Sequence, residues 1–122
     1  MARVLLVDDE PVLRLALRRY LEFSGHIVDE AFDGEDALGH LRAQRPDIVI
    51  SDVLMPQRDG MSLCREMRDD PSFADVPFLF ITARNTQAAL HDEMERIGAG
   101  CVTKPFEPDQ LLAAIDRAVK KE

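Results

Sequence analysis

RVLLVDDEP, residues 3–11, decides the fold. Its first five residues are a short, almost unbroken apolar run, the pattern of a strand covered on both faces. Asp8, Asp9, Glu10 and Pro11 follow. Acids favour the N-terminal end of a helix dipole, and proline suits the first helical turn. The stretch therefore reads as strand, turn, helix, with two adjacent carboxylates at the carboxyl end of the strand.

Outward from there the same unit recurs. Leu13, Leu17 and Leu21 repeat every four residues with Ala16 and Tyr20 beside them, one apolar helix face that ends at Ser24-Gly25. Residues 26–31 form a weaker strand, and Asp33-Gly34 leads into a helix with Ala37, Leu38 and Leu41 inward. Gly39 inside that helix costs up to ~1 kcal/mol relative to alanine. Pro46 precedes a third strand over 47–52, and residues 55–60 are a loop by their turn residues. A helix over about 61–68 and a connecting loop over 70–77 lead to a fourth strand, 78–81, ending at Thr82. A helix with Leu90, Met94 and Ile97 inward closes at Gly98, and 101–103 make a short fifth strand. The last helix, 109 to about 120, buries Leu111, Leu112, Ile115 and Val119. Alternating strands and helices predict an α/β fold: a doubly wound, five-stranded parallel sheet with right-handed crossovers and helices on both faces.

The chain of 122 residues, 46% apolar, suits one domain with a packed core. A net charge of −8 argues against contact with a nucleic-acid backbone. The start offers only a four-residue apolar run before Asp8, which is no signal peptide, and no run approaches the roughly 18 residues of a membrane span. Cys64 and Cys101 show no ligand spacing and read as reduced, mostly buried thiols of a cytoplasmic protein. His26, His40 and His91 are scattered, and Met55, Met61, Met67 and Met94 read as packing residues.

Four of the five strand ends carry chemistry: Asp8-Asp9, Asp52, Thr82 and Lys104. In an open parallel sheet the ligand site lies beyond the carboxyl ends of the strands, where strand order reverses. With strands one and three as neighbours, the carboxylates converge, and two such charges ~4 Å apart repel by about 4 kcal/mol at an effective dielectric of ~20. A divalent cation relieves that, and a few oxygen ligands with room for water and phosphate suit Mg²⁺. A carboxylate also serves as a nucleophile toward phosphorus. Asp52, at the end of DIVIS, is the candidate; Lys104 would neutralise a phosphate oxygen and Thr82 would donate a hydrogen bond to another. Each residue alone reads as a helix start, a strand-end hydroxyl or a surface lysine; their joint placement reverses that weighting.

With LLVDDEP at 5–11, DIVISDVLMPQRDG at 47–60, ITA at 81–83 and TKPF at 103–106, the chain resembles the receiver domains of bacterial two-component response regulators over essentially its whole length. The resemblance implies a flavodoxin-like sheet in the order 2-1-3-4-5 with five helices, a single receiver domain over 1–122 and no effector domain in this chain. It implies that Asp52 accepts a phosphoryl group from a phosphohistidine on a sensor histidine kinase or histidine phosphotransfer protein. Asp9 and Asp52 would bind Mg²⁺ directly with the backbone carbonyl of Leu54, Asp8 mostly through water, and Thr82 and Lys104 would contact the phosphoryl group. Lys104-Pro105 would be cis, and Gly60 would close the loop after Asp52. The protein would assist its own phosphorylation and hydrolysis without turning over a separate substrate. Phosphorylation would reshape the surface of helix four, strand five and helix five toward an effector, with no contact to nucleic acid or membrane by this domain.

Some residues depart from that pattern. Cys101 stands where the family usually has Tyr or Phe, and Gly98-Ala99-Gly100 is one residue shorter than the usual stretch before it. In the family it resembles, the positions held here by Leu54 and Arg84 tune how fast the aspartyl phosphate hydrolyses. Arg14, Arg18 and Arg19 form a basic strip on the first helix, read as a solvated face, with part of a kinase-docking surface as the alternative. Three other functions fit less well. A metal-dependent phosphatase working through an aspartyl phosphate needs a second acid where Leu54 stands. A flavin binder needs a hydroxyl- and glycine-rich loop where Asp8-Asp9-Glu10 stands. A receiver fold used only for protein binding would not need the full set of pocket residues.

Overall fold

A computed structural model of the chain describes residues 2–53, 60–82, 88–97, 99–103 and 107–120, with side chains omitted at 88–91 and 120. Strands β1 (Arg3–Val7), β2 (Ile27–Ala31), β3 (Ile48–Asp52), β4 (Phe78–Thr82) and β5 (Gly100–Thr103) alternate with helices α1 (Pro11–Phe23), α2 (Gly34–Ala43), α3 (Gly60–Asp69), α4 (Ala88–Arg96) and α5 (Pro108–Lys120). All pairings are parallel and the order is β2-β1-β3-β4-β5, as the resemblance implied.

The period-two alternation of the strands sorts the core into two layers. Leu5, Val7, Val49, Phe78 and Phe80 pack with Ala37, Leu41, Leu63, Met67 and Met94 on the side of α2, α3 and α4. Val4, Leu6, Ile48, Ile50, Leu79 and Ile81 pack with Leu17, Leu21, Leu111 and Ile115 on the side of α1 and α5. Ile97 packs at the margin of the first layer, and Leu13, Tyr20, Leu112 and Val119 at that of the second. Leu38 also packs only at the margin of the first layer. Ala16, placed beside that face by its spacing, is exposed.

Local chemistry sets the helix limits. Pro11 opens α1, and Gly25, at φ 99°, takes the left-handed turn that follows it. Asp33 caps α2 by accepting a hydrogen bond from the Asp36 backbone N–H at 2.8 Å. Arg68 at the end of α3 donates to the carbonyls of Val76 and Ile97, each at 2.8 Å, tying the α3–β4 loop to the C-terminal end of α4. Both cysteines are free thiols. Cys64 is buried as expected, and burial pushes its thiol up to about 11. Cys101 is exposed, contrary to the sequence expectation, because it sits on β5, the edge strand of the sheet among the described residues.

Candidate functional site

The register of the sheet assembles the site. Val7 of β1 pairs with Ser51 of β3, so Asp8 and Asp52 leave two adjacent strands at one level. Carboxylate oxygens of Asp8, Asp9 and Asp52 all lie within 4.8 Å of one another. At that spacing each charged pair repels by about 3 kcal/mol at an effective dielectric of ~20. The burial is graded: Asp8 is buried, Asp52 half-buried and Asp9 exposed, so the cluster opens toward solvent on one side. An all-carboxylate donor set that is close, charged and open fits a hard divalent cation.

Backbone hydrogen bonds hold these acids in place. The Asp8 N–H donates to the Ala31 carbonyl at 3.0 Å, and Asp8 Oδ1 accepts from the Glu10 N–H at 2.9 Å. Asp52 Oδ1 accepts from the Val53 N–H at 2.7 Å, and the Ser51 hydroxyl donates to the Asp52 carbonyl at 2.7 Å. The Gly60 N–H then donates to the Val53 carbonyl at 2.8 Å, bringing the start of α3 back against β3. A Cβ on Gly60 would lie 2.3 Å from the Asp52 carbonyl oxygen and 2.9 Å from Ser51 Oγ, so only glycine fits there. Gly60 thus lies against the end of β3, as the expected loop closure requires.

Thr82 is fully buried at the end of β4, level with Thr103 of β5, and its hydroxyl donates to Thr103 Oγ1 at 3.4 Å. Leu54, Arg84, Lys104 and the Lys104-Pro105 bond lie outside the described residues. Thr103 ends β5, so Lys104 is the next residue along the chain.

Ion pairs the sequence did not foresee flank the acids. Arg14 Nε donates to Glu30 Oε1 at 2.9 Å and Arg18 donates to Glu30 Oε2 at 2.6 Å, while a second nitrogen of Arg14 donates to the Asp8 carbonyl at 2.6 Å. Two of the three arginines of the basic strip therefore grip β2 rather than facing water alone. Burial alone would raise the Glu30 carboxyl, but the hydrogen bonds from Arg18 and Arg14 outweigh it and hold the group below its ordinary value. The signal was present in the sequence as Arg14 and Arg18 one turn apart and Asp29-Glu30 on a strand; what the sequence lacked was the packing that joins them. No described helix is long and apolar enough to cross a membrane.

Residues 4–116 match the response regulator receiver domain family. Over 122 residues the chain is 37% identical to the response regulator MprA of Mycolicibacterium vanbaalenii, covering 98% of this chain and 51% of that protein. The chain thus spans about half the length of the curated relatives it matches. Among solved structures it is similar to the chemotaxis protein CheY4 of Vibrio cholerae, with a TM-score of 0.88, 34% identity and coverage of 97% and 98% of the two chains. It is also similar to the signal receiver domain of a signal transduction histidine kinase from Syntrophus aciditrophicus, with a TM-score of 0.89, 29% identity and coverage of 100% and 95%.

Proposed function

Because the chain belongs to the response regulator receiver domain family of two-component systems, we propose that Asp52 is its phosphoacceptor. The observation that carries this reading is the convergence of Asp8, Asp9 and Asp52 within 4.8 Å at the ends of two adjacent strands. Asp52 ends a strand whose preceding four residues are all buried, so its carboxylate is presented from a rigid support. The donor is a phosphohistidine on a sensor histidine kinase or histidine phosphotransfer protein. An Asp52 oxygen attacks phosphorus, the P–N bond breaks as the P–O bond forms, and the donor imidazole leaves with the electron pair and is protonated. Little covalent chemistry is asked of the protein; its part is positioning and charge stabilisation.

Asp9 and Asp52, with the Leu54 carbonyl, would hold Mg²⁺, Asp8 acting mainly through water; the ion would offset the charge of the carboxylates and of the incoming phosphoryl group. Thr82 would donate its hydroxyl hydrogen to one phosphoryl oxygen, giving up its contact with Thr103, and Lys104 would neutralise another. That exchange links the site to β5, through which the domain would signal to an effector. The domain acts as its own substrate in this scheme rather than as an enzyme on another.

Intact-mass analysis after incubation with a small phosphodonor and Mg²⁺, with Asp52→Ala as control, tests the reading. A Mg²⁺-dependent gain of one phosphoryl group that the variant lacks is the expected result. No gain under conditions that label an active receiver would shift the function to protein binding independent of phosphorylation.

A further inference from the structure

The peptide that joins Asp8 to Asp9 is held from outside the pocket. Its carbonyl, that of Asp8, accepts a hydrogen bond from Arg14 at 2.6 Å. The same guanidinium donates to Glu30 at 2.9 Å, and both side chains are mostly buried, at 19% and 22% exposure. Glu30 is anchored in turn: it lies opposite Leu6 in the β1–β2 register, and Arg18 binds its other oxygen at 2.6 Å. A planar, forked guanidinium that bridges two fixed acceptors defines an orientation as well as a contact.

We propose that Arg14 is a positioning residue for the acidic pocket, fixing the Asp8–Asp9 peptide plane against β2 and thereby the direction in which the Asp9 carboxylate meets a divalent cation. This inference rests on the reading of the pocket as a divalent-cation site. Groups that orient ligands from behind change metal affinity by about 10- to 100-fold when removed. Arg14 acts on the backbone of its ligands, so the lower end of that range is expected.

The sign of the effect separates positioning from simple charge. Arg14 is a cation beside the site, so on Coulomb attraction alone its removal should tighten Mg²⁺ binding. If it positions Asp9, its removal should weaken binding. The measurement is a Mg²⁺ titration of the whole chain followed by backbone amide shifts, since the sequence has no tryptophan to report by fluorescence. Arg14→Ala should bind Mg²⁺ about tenfold more weakly than the parent at a temperature where both are folded. Arg3→Ala, which removes a cation from the same sheet edge but leaves Arg14, Glu30 and the Asp8 carbonyl bonded, should bind as the parent does. Arg14→Lys keeps the charge and loses the fork, and should weaken binding by a smaller factor; it replaces Arg14→Ala if that variant does not fold. Equal or tighter binding by the Arg14 variants, with only thermal stability lowered, would show the residue to be structural and overturn the proposal. A parent that binds no Mg²⁺ would instead refute the cation site itself.

Discussion

The two edges of the sheet are built in opposite ways. At one edge, β2 is strapped to its neighbours by guanidinium groups: Arg3 to Asp29 at 3.0 Å, and Arg14 and Arg18 to the two oxygens of Glu30. At the other, β5 has four residues, three of them exposed, and none carries a charge. Beside β5 a cleft of about 720 Å³ opens between the α3–β4 loop and the last turns of α5, lined by Val76, Leu79, Cys101 and Arg117 among others. Among the described residues, one edge is braced by ion pairs, and the other is held by its ladder to β4, by Val102 beneath it and by the hydroxyl contact of Thr82 with Thr103. That contrast predicts that β5 responds to phosphorylation while β2 does not.

Central strand β3 is the reference against which both edges are measured, and disturbing it has the largest expected effect. Gly60→Ala puts a methyl group against the Asp52 carbonyl and should destabilise the domain by about 2–4 kcal/mol, read from urea unfolding. A loss below 0.5 kcal/mol, the scale of an ordinary surface change, would mean that the start of α3 is free to move away from β3. The edges themselves are compared by amide hydrogen exchange. Ladder amides of β5 should exchange about tenfold faster than those of β2, a difference of ~1.4 kcal/mol in opening free energy. Adding a phosphoryl mimic should alter exchange in β5 and leave β2 unchanged. Equal rates at the two edges, or a response confined to β2, would break the contrast.

The smallest effect is the acid response of β2. The Glu30 carboxyl, with an ordinary value of 4.5, is held lower in the folded chain. A group depressed on folding contributes stability above its unfolded value, and that contribution is lost as pH falls through the folded value. Glu30→Gln should therefore be less stable than the parent at neutral pH, by under about 1 kcal/mol given the partial exposure of its partners. The gap should narrow as pH drops below 4.5, and thermal melts at both pH values read it. A gap that stays constant would assign the loss to packing.

Elements with strong local signals were legible from sequence to within a residue or two. The apolar runs gave β1, β3 and β4, and Leu17, Leu21, Leu111 and Ile115 gave the inward faces of α1 and α5. Asp8, Asp9 and Asp52 were legible because strand ends in a parallel sheet converge whatever the intervening sequence. Cys101 was misjudged because its residue type was weighed alone, although the expected order 2-1-3-4-5 already put strand five at an edge. Arg14 was seen as part of a strip but not as a brace, since its partners are 16 residues away at Glu30 and on a backbone carbonyl that no side-chain pattern reveals. Gly60 was placed by motif, whereas the contact that demands glycine needs coordinates.

The β1–β3 register has a kinetic consequence. Asp8 and Asp9 are more than forty positions from Asp52 in the chain, yet the pocket exists only once those two strands lie side by side. Such non-local pairing pays its loop-closure cost before any contact rewards it, which slows the assembly of the pocket. A partly folded copy has scattered aspartates and no site. A cation that binds the assembled cluster draws the population toward the native state by mass action. With Asp52 as the proposed phosphoacceptor, competence to be phosphorylated would become a certificate of completed folding, and immature or damaged copies would stay outside the signalling pool.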